Sequence, residues 1–419
     1  MESCTDWSSL FGNFASSAEF RNEYWRRAPV VLREIAPWAE FGLDALRAAV
    51  LADPSIAADA ARVDFDFEAR RGWTNVCVGD GWDGVERALD DGTVVFNTAG
   101  LACAPLADAC LAALDAFELP VGVNVYITRP GRAASAPPHT DRQDVLVVQV
   151  AGHKRWRVHV PPRTDANPLA DPFARGKGDD VLDATSLDVI VDDILRPGDV
   201  LYVPAGAPHQ TATPPGSETS LHLTFGIVAG STWGLSFDTL RRLALPRVPE
   251  DDLAFRLRPR VHRAFHTPLP IGSFLEGTTD AAATFDYIAR KYLGQVPDPD
   301  AVAAAISRAR RHHAAILAAM RTSYDHVAWR GSYLQRVDPY LDALAGLIDD
   351  LYAATPSQEK EEKKTKVTVG PRANAPPKDV RERPRRGFAA SSRTMKTTTP
   401  PPPHEESPPR RRRRRRRRR

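Results

Sequence analysis

Three side chains in this sequence have the types and spacing to hold one metal ion: His139, Asp141 and His209. The first two lie in PPHTDRQDVLVVQVAGHKRWRVHV and the third in LRPGDVLYVPAGAPHQ. Residues two apart in a strand point to the same face, so His139 and Asp141 are expected side by side on one sheet surface. His209 follows at the end of a second strand, set up by an Arg196-Pro197-Gly198-Asp199 turn. Two imidazoles and one carboxylate, with further coordination positions open, are the ligand set of a non-haem Fe(II) oxygenase centre. An H-x-D spacing alone is weakly specific. Here Pro137-Pro138 imposes an extended approach to His139, and a strand-like run follows at once. The plainer alternative is a metal-free barrel in which the same three groups satisfy one another by hydrogen bonds.

The elements that must position these residues read as strands. VGVNVYITR, DVLVVQVAG, KRWRVHV, DVIVDDIL, GDVLYVP and TSLHLTFGI are each β-branched or alternating, with Gly, Pro and Asp between them. Many short strands with turn signals predict a sandwich, barrel or jelly roll. The polar stretch around residues 162–185 reads as a surface excursion or a lid. Upstream, Ser16 and Glu19 suggest a capping box opening a helix AEFRNEYWRR that stops at Pro29. VVLRE then reads as a short strand and Leu43–Leu51 as a helix. Between Arg62 and Gly100 the runs VDFDF, WTNVCV and TVVFN are β-like, with Gly and Asp turns between them. Leu106–Phe117 reads as a helix with Pro105 at its start. After Thr232 the periodicity is helical, in FDTLRRLALP, EDDLAFRLRPRVHRAF, AAATFDYIARKYL, DAVAAAISRARRHHAAILAAMRTSY and VDPYLDALAGLIDDLYAA. These helices are expected to cover the barrel or to pair two subunits. The adjacent His312 and His313 point about 100° apart on a helix and are not expected to chelate together.

Charge divides the chain. Its 419 residues carry a net charge of +3, yet residues 356–419 hold 22 Lys+Arg against 7 Asp+Glu, leaving 34 against 46 in the first 355. The body is acidic and the tail basic. The tail ends in consecutive arginines from Arg410 to Arg419 and has no apolar periodicity, so it is expected to be disordered. It reads as a solvated tail, or as an electrostatic contact with RNA or another acidic surface that weakens with salt. Such a run also fits a nuclear or nucleolar address. Cys4, Cys77, Cys103 and Cys110 make no C-x-x-C pair and suit reduced thiols in an intracellular protein. No secretory leader is read at the N-terminus. No apolar run reaches the roughly 18–20 residues of a membrane span. The expectation is a soluble intracellular protein, cytoplasmic or nuclear.

The block N-V-Y-x-T…P-H-x-D…D-V…Q-x-x-G-x-K-x-W-R…PGD-x-L-Y-x-P…P-H-Q…S-L-H-L-T resembles the JmjC-domain, cupin-type ribosomal oxygenases, over roughly residues 10–230. That resemblance implies a mixed α+β chain built on a cupin double-stranded β-helix, or jelly roll. Its parts would be an N-terminal α/β flank (1–95), a JmjC barrel (96–232), a helical region with a possible homodimer contact (233–355) and a disordered basic tail (356–419). It implies Fe(II), 2-oxoglutarate and O2 as cofactor and cosubstrates, with His139, Asp141 and His209 as metal ligands. The activity implied is hydroxylation of a protein side chain, with a ribosomal protein as the leading substrate.

The position matching the family's basic ligand for the distal carboxylate of 2-oxoglutarate is Lys154. Read from the residues alone, Lys154 is an exposed hairpin charge; the resemblance makes it a cation facing a dianion. Asn124 and Tyr126 match the polar pair lining the cosubstrate pocket, against ordinary strand packing. His222 is expected to face the barrel interior, beside the cosubstrate or as a core histidine, and Trp156 to lie in the core. Ribosomal oxygenases follow the barrel with helices and a winged helix. Residues 235–355 offer the helices, and no strand-bearing winged-helix segment reads out before the tail. Rival readings are an oxygenase acting on histone methyl-lysine, tRNA or a small metabolite, a non-catalytic binding module with an RNA-binding tail, and a metal-dependent cupin isomerase. Lys154 speaks against the isomerase, which needs no clamp for a diacid.

Overall fold

The computed structural model describes residues 4–36, 41–66, 68, 71–79, 81–161, 176–178, 180–230, 233–245, 261 and 264–353. The expected helix around residues 250–265 lies largely outside them, as do residues 162–175 of the polar stretch 162–185 and the whole basic tail. The chain divides into two units, Met1–Ala354 and Thr355–Arg419, and everything described below belongs to the first. Among the described residues, no helix is long and apolar enough to cross a membrane.

Two antiparallel sheets form the framework. The larger runs β1 (Val30–Leu32), β10 (Val200–Val203), β7 (Asp144–Ala151), β12 (Ser220–Ile227), β5 (Val121–Thr128), β4 (Thr93–Phe96), β2 (Ala60–Asp66) and β3 (Arg71–Cys77). The smaller runs β6 (Ala136–His139), β11 (His209–Ala212), β8 (Lys154–His159) and β9 (Val189–Leu195). This is the cupin jelly roll expected from the strand pattern and the resemblance.

Alternation along the central strands separates packing from chemistry. In β5, Val121, Val123, Val125 and Ile127 join the main apolar core. The alternate residues Asn124, Tyr126 and Thr128 point to the opposite face of the sheet, as side chains of period two must. In β12 the same division puts Leu221, Leu223, Phe225 and Ile227 in the core and turns His222 and Thr224 inward. Against the apolar face pack α1 (Trp7–Ser16) and α5 (Ala104–Phe117), with the Phe11 ring 5.0 Å from Phe225 and 6.0 Å from Phe117. Aromatic pairs at these separations add to the area they bury. A smaller cluster of Val145, Val147, Trp156, Val158, Leu195 and Leu201 fills the barrel on the side away from the helices.

Two local expectations are corrected. Ser16 does not open a helix with Glu19: it is the last residue of α1, whose own capping box is Asp6 and Ser9. The next segment starts one residue later, where Ser17 Oγ accepts from the Phe20 amide at 3.1 Å and Phe20–Tyr24 makes a π-type turn. A helix also stands between the β-like runs of residues 62–100. This is α4 (Gly81–Asp91), which buries Trp82, Val85 and Leu89 at helical spacing. His209, expected at the end of the strand after the Arg196–Asp199 turn, instead opens β11, since β10 ends at Val203. α2 stands at Leu43–Ala52 and Pro105 in the first turn of α5, as the pattern puts them.

The C-terminal helices are α6 (Phe237–Ala244), α7 (Ala281–Leu293), α8 (Pro299–Tyr324) and α9 (Tyr333–Tyr352). Ile316, Leu317, Met320 and Tyr324 of α8 pack into the same core as α5. The Tyr324 hydroxyl donates to the Val121 carbonyl at 3.1 Å, so these helices cover the barrel. His313 donates through Nε2 to the Glu118 carbonyl at 2.8 Å. It serves as a strut between α8 and the end of α5.

Candidate metal centre and its two cavities

The smaller sheet builds the triad. β6 and β11 pair antiparallel with His139 opposite His209, so the two imidazoles sit on neighbouring strands with ring centroids 4.2 Å apart. β6 is an edge strand, the position where Pro137 and Pro138 cost the ladder least. The register slips between His209 and Thr211, opposite these prolines. Asp141 lies just past the end of β6, in a turn whose carbonyl accepts from the Gly206 amide at 2.8 Å. Its position beside His139 therefore comes from a pinned turn and not from the pleat of one continuous strand. The Arg196–Asp199 turn forms as the sequence suggests: Gly198 has φ +90°, and the Asp199 amide bonds the Arg196 carbonyl at 2.9 Å. It feeds β10, whose Tyr202 hydroxyl donates to buried Asp144 at 2.8 Å; Asp144 also holds the Ala205 amide in the loop leading to His209.

Ligand atoms of His139, Asp141 and His209 all lie within 4.8 Å of one another, and this is the one such cluster among the described residues. Nδ1 of His139 donates to the Pro137 carbonyl at 2.8 Å and Nδ1 of His209 to the Ala207 carbonyl at 3.0 Å. Because carbonyls only accept, these bonds fix the proton on Nδ1 and leave both Nε2 lone pairs free. Nε2 of His209 stands 3.5 Å from Asp141 Oδ2, and Nε2 of His139 3.9 Å. Burial holds both imidazoles below their ordinary pKa, and so in the neutral form that ligates. Burial works against ionisation of Asp141, but the Lys177 ammonium outweighs it, and the carboxyl stays well below the usual range. Two neutral imidazoles and an ionised carboxylate, converging on a common point, fit a divalent transition metal.

An inner cavity of about 20 Å³ adjoins the triad, lined among others by Lys154, Tyr126, His222 and Trp156. Lys154 is 1% exposed and donates to the Thr128 hydroxyl at 2.9 Å, with no ion pair to it among the described residues. Burial lowers its pKa to about 7. His222 stacks on Tyr126 with centroids 4.7 Å apart. Its Nδ1 and the indole N–H of Trp156 are buried without hydrogen-bond partners among the described residues. A buried cation and two unanswered polar atoms fit a small anionic molecule. The space holds about one water, so a five-carbon diacid needs the walls to give. Asn124 lies elsewhere: it accepts from the Thr98 amide at 3.2 Å and lines a larger outer cavity of about 320 Å³.

That outer cavity shares Trp73, Tyr126, Asp141, Val145 and Thr224 with the inner one; β5 and β12 add Gly122, Val123, Asn124 and Gly226, and more distant segments complete it. Asn75 comes from β3, Asn97 from the end of β4, Trp233 from beyond β12, and Tyr324 and Tyr340 from α8 and α9. Lys177, which the sequence did not single out, also lines it. Residues 176–178 form a strap, with Trp73 N bonded to the Gly176 carbonyl and Gly178 N to the Trp73 carbonyl, each at 2.9 Å. A Cβ at Gly176, whose φ is +84°, would meet the Pro138 carbonyl oxygen at 2.3 Å, so only glycine lets the strap lie this close to His139. The Trp73 ring packs edge-on against His139 at 4.6 Å, and Lys177 sits over its face at 5.1 Å.

Residues 105–234 match the family model described as "JmjC domain". Over 161 residues the chain is 32% identical to the bifunctional lysine-specific demethylase and histidyl-hydroxylase NO66 of Drosophila erecta, a match covering 38% of this chain and 23% of that protein. It is 34% identical over 160 residues to ribosomal oxygenase 2 of Rattus norvegicus, covering 38% of this chain and 32% of that one. The chain thus spans about a third or less of the length of these curated relatives. Among solved structures it is similar to the ribosomal oxygenase YcfD from Escherichia coli in complex with cobalt and 2-oxoglutarate, at 18% identity and TM-score 0.35, covering 66% of this chain and 70% of that one. Residues 105–234 carry a JmjC domain, folded as a cupin jelly roll, and there the chain resembles the ribosomal oxygenases.

Proposed function

We propose that this chain is an Fe(II)- and 2-oxoglutarate-dependent oxygenase that hydroxylates a protein side chain, with a ribosomal protein as the leading substrate. The observation that carries this reading is one arrangement. Two buried imidazoles with free Nε2 atoms and an ionised carboxylate converge beside a buried lysine that makes no ion pair among the described residues. His139, Asp141 and His209 would hold the metal, and Lys154 the distal carboxylate of 2-oxoglutarate. The bound iron and keto acid supply the oxidising chemistry: 2-oxoglutarate and O2 give succinate and CO2, and one oxygen atom enters a substrate C–H bond.

The chain's own share is placement and exclusion of water. Backbone carbonyls orient the imidazoles, Thr128 steadies the Lys154 ammonium, and Tyr126 with stacked His222 walls the cosubstrate from the outer cavity. The outer cavity would take the target side chain. The names of the relatives offer hydroxylation of histidine or demethylation of lysine. Among the described lining residues Asp141 is the one carboxylate, and it is paired with Lys177. The four amides Asn75, Asn97, Asn124 and Gln143 suit a neutral hydrogen-bonding group and outnumber the one paired carboxylate, although the rings of Trp73, Tyr126, Trp233, Tyr324 and Tyr340 also suit a methylammonium. Hydroxylation of such a side chain is therefore the favoured reading. The basic tail would add an electrostatic contact with RNA or another acidic surface, recognisable by its steep salt dependence, and the helices beyond residue 233 a homodimer contact, checked by solution mass.

The test is an anaerobic titration of 2-oxoglutarate into the Fe(II)-loaded protein, watching for the visible charge-transfer band of a chelated iron–keto-acid complex. The expected result is a saturable band in the native protein and none in His209→Ala. Failure to bind both iron and 2-oxoglutarate would leave a binding module and overturn the assignment.

A further inference from the structure

Lys177 stands on a segment whose position is over-determined. Two glycines at positive φ, Gly176 at +84° and Gly178 at +65°, flank it. Backbone bonds on both sides zip the strap to β3, the Gly72 amide also reaching the Gly178 carbonyl at 2.9 Å. A Cβ on Gly72 would meet the Asp180 carbonyl oxygen at 2.3 Å, so the strap is tight against β3 as well as β6. The side chain delivered by this clamp donates to Asp141 Oδ1 at 2.6 Å. The other carboxylate oxygen, Oδ2, is the one nearest both Nε2 atoms.

We propose that Lys177 is a positioning residue for Asp141: by holding Oδ1 it makes the carboxylate offer a single oxygen, Oδ2, to the metal. The inference rests on the metal-site reading above and adds to it a residue outside the triad. A carboxylate free to rotate can present one oxygen or two, and the second occupies a coordination position that a bidentate cosubstrate needs. A hydrogen-bonded, charge-assisted partner on Oδ1 removes that freedom. Outer partners of metal ligands commonly set ligand orientation, and losing one costs about 10–100-fold in metal affinity. An opposing effect is also present, because an ammonium this close repels a metal cation. The geometry favours orientation: the strap is built to bring Lys177 here, and its Nζ meets an oxygen turned away from the imidazoles.

The test uses the full chain and Co(II) alone, followed by calorimetry and by visible d–d absorption, which reports coordination number. Native protein is expected to bind one equivalent, and Lys177→Met to bind about tenfold or more weakly, with a changed absorption envelope and unaltered melting of the metal-free protein. Lys177→Arg, which keeps a charged donor, is expected to recover most of the affinity and the native envelope. Native-like affinity and spectrum in Lys177→Met would overturn the proposal while leaving the metal site standing. Tighter binding in Lys177→Met would overturn it too, showing that the ammonium only repels the ion, and so would Lys177→Arg behaving like Lys177→Met. A native protein that takes up no Co(II) would overturn this proposal and the metal-site reading together.

Discussion

The inner and outer cavities share Trp73, Tyr126, Asp141, Val145 and Thr224 and both rest on the barrel strands, yet the rest of their walls differ in origin. The inner one draws chiefly on the paired barrel strands β5 to β12, so its contents follow from strand register. The outer one is closed by β3, the strap, the segment after β4 and two helices 200 residues further along the chain. The difference teaches where each kind of specificity resides. Chemistry is specified by the sheet, and choice of target by what is draped over it. A barrel of this kind can keep its reaction while its covering segments change what reaches the metal.

Substitutions can break that division or sharpen it. The largest effect is expected from His209→Ala, which removes one of two free Nε2 atoms: metal-dependent turnover should vanish along with the charge-transfer band, and activity at the native level would refute the site. Next, Lys154→Ala should weaken 2-oxoglutarate on the order of 100-fold, as loss of one partner of a buried charge pair does. Calorimetry should show metal affinity nearly unchanged, and equal losses of both would mean that the inner cavity is not a separate compartment.

The third expectation concerns pH. Burial lowers the Lys154 pKa to about 7, and an anion bound against it must raise that value in the complex. Binding then takes up a proton above neutrality, so 2-oxoglutarate affinity should fall as pH rises from 7, by at most about tenfold per unit. A flat profile from pH 7 to 9, measured by calorimetry in buffers of differing ionisation enthalpy, would contradict it. The smallest effect belongs to the outer cavity. Trp233→Ala should raise KM for the protein substrate about fivefold, in keeping with loss of one aromatic anchor, without moving the 2-oxoglutarate constant. A shift in the cosubstrate constant would show that the two cavities are coupled.

The same division explains what could be read from the residues. Tyr126 and His222 sit on strands whose alternation is plain in the sequence; the strand of Lys154 is equally plain but its burial is not, and His139 and His209 sit on the four-residue strands APPH and HQTA, too short to show a period. Asp141 was legible as a neighbour of His139, but the pinned turn that aims it was not, because it depends on an amide 65 residues away. Lys177 gave a weaker signal, a lysine between two glycines in a polar stretch. Glycines there mean close backbone approach, but which strand they approach is a tertiary fact. The helix α4 carried its periodicity openly in Trp82, Val85 and Leu89, masked by a glycine at each end of its first turn. Tyr324 and Tyr340 read only as apolar helix positions, since nothing in a helical repeat says which residue will reach a sheet.

The pairing of His139 with His209 has a consequence for how the protein assembles. Two of the three metal ligands come from strands joined by a long excursion that passes through β7 to β10, so the site does not exist until the smaller sheet has closed. Non-local pairings of this kind form late and slow the search for the native state. A metal ion therefore cannot seed folding from a local loop. Bound at the triad, it would act as a latch, capturing chains that have already closed the sheet and slowing their reopening. Saturation at 100 times the dissociation constant stabilises the closed state by about 2.7 kcal/mol, so metal supply during synthesis should govern how long the barrel, once formed, stays formed.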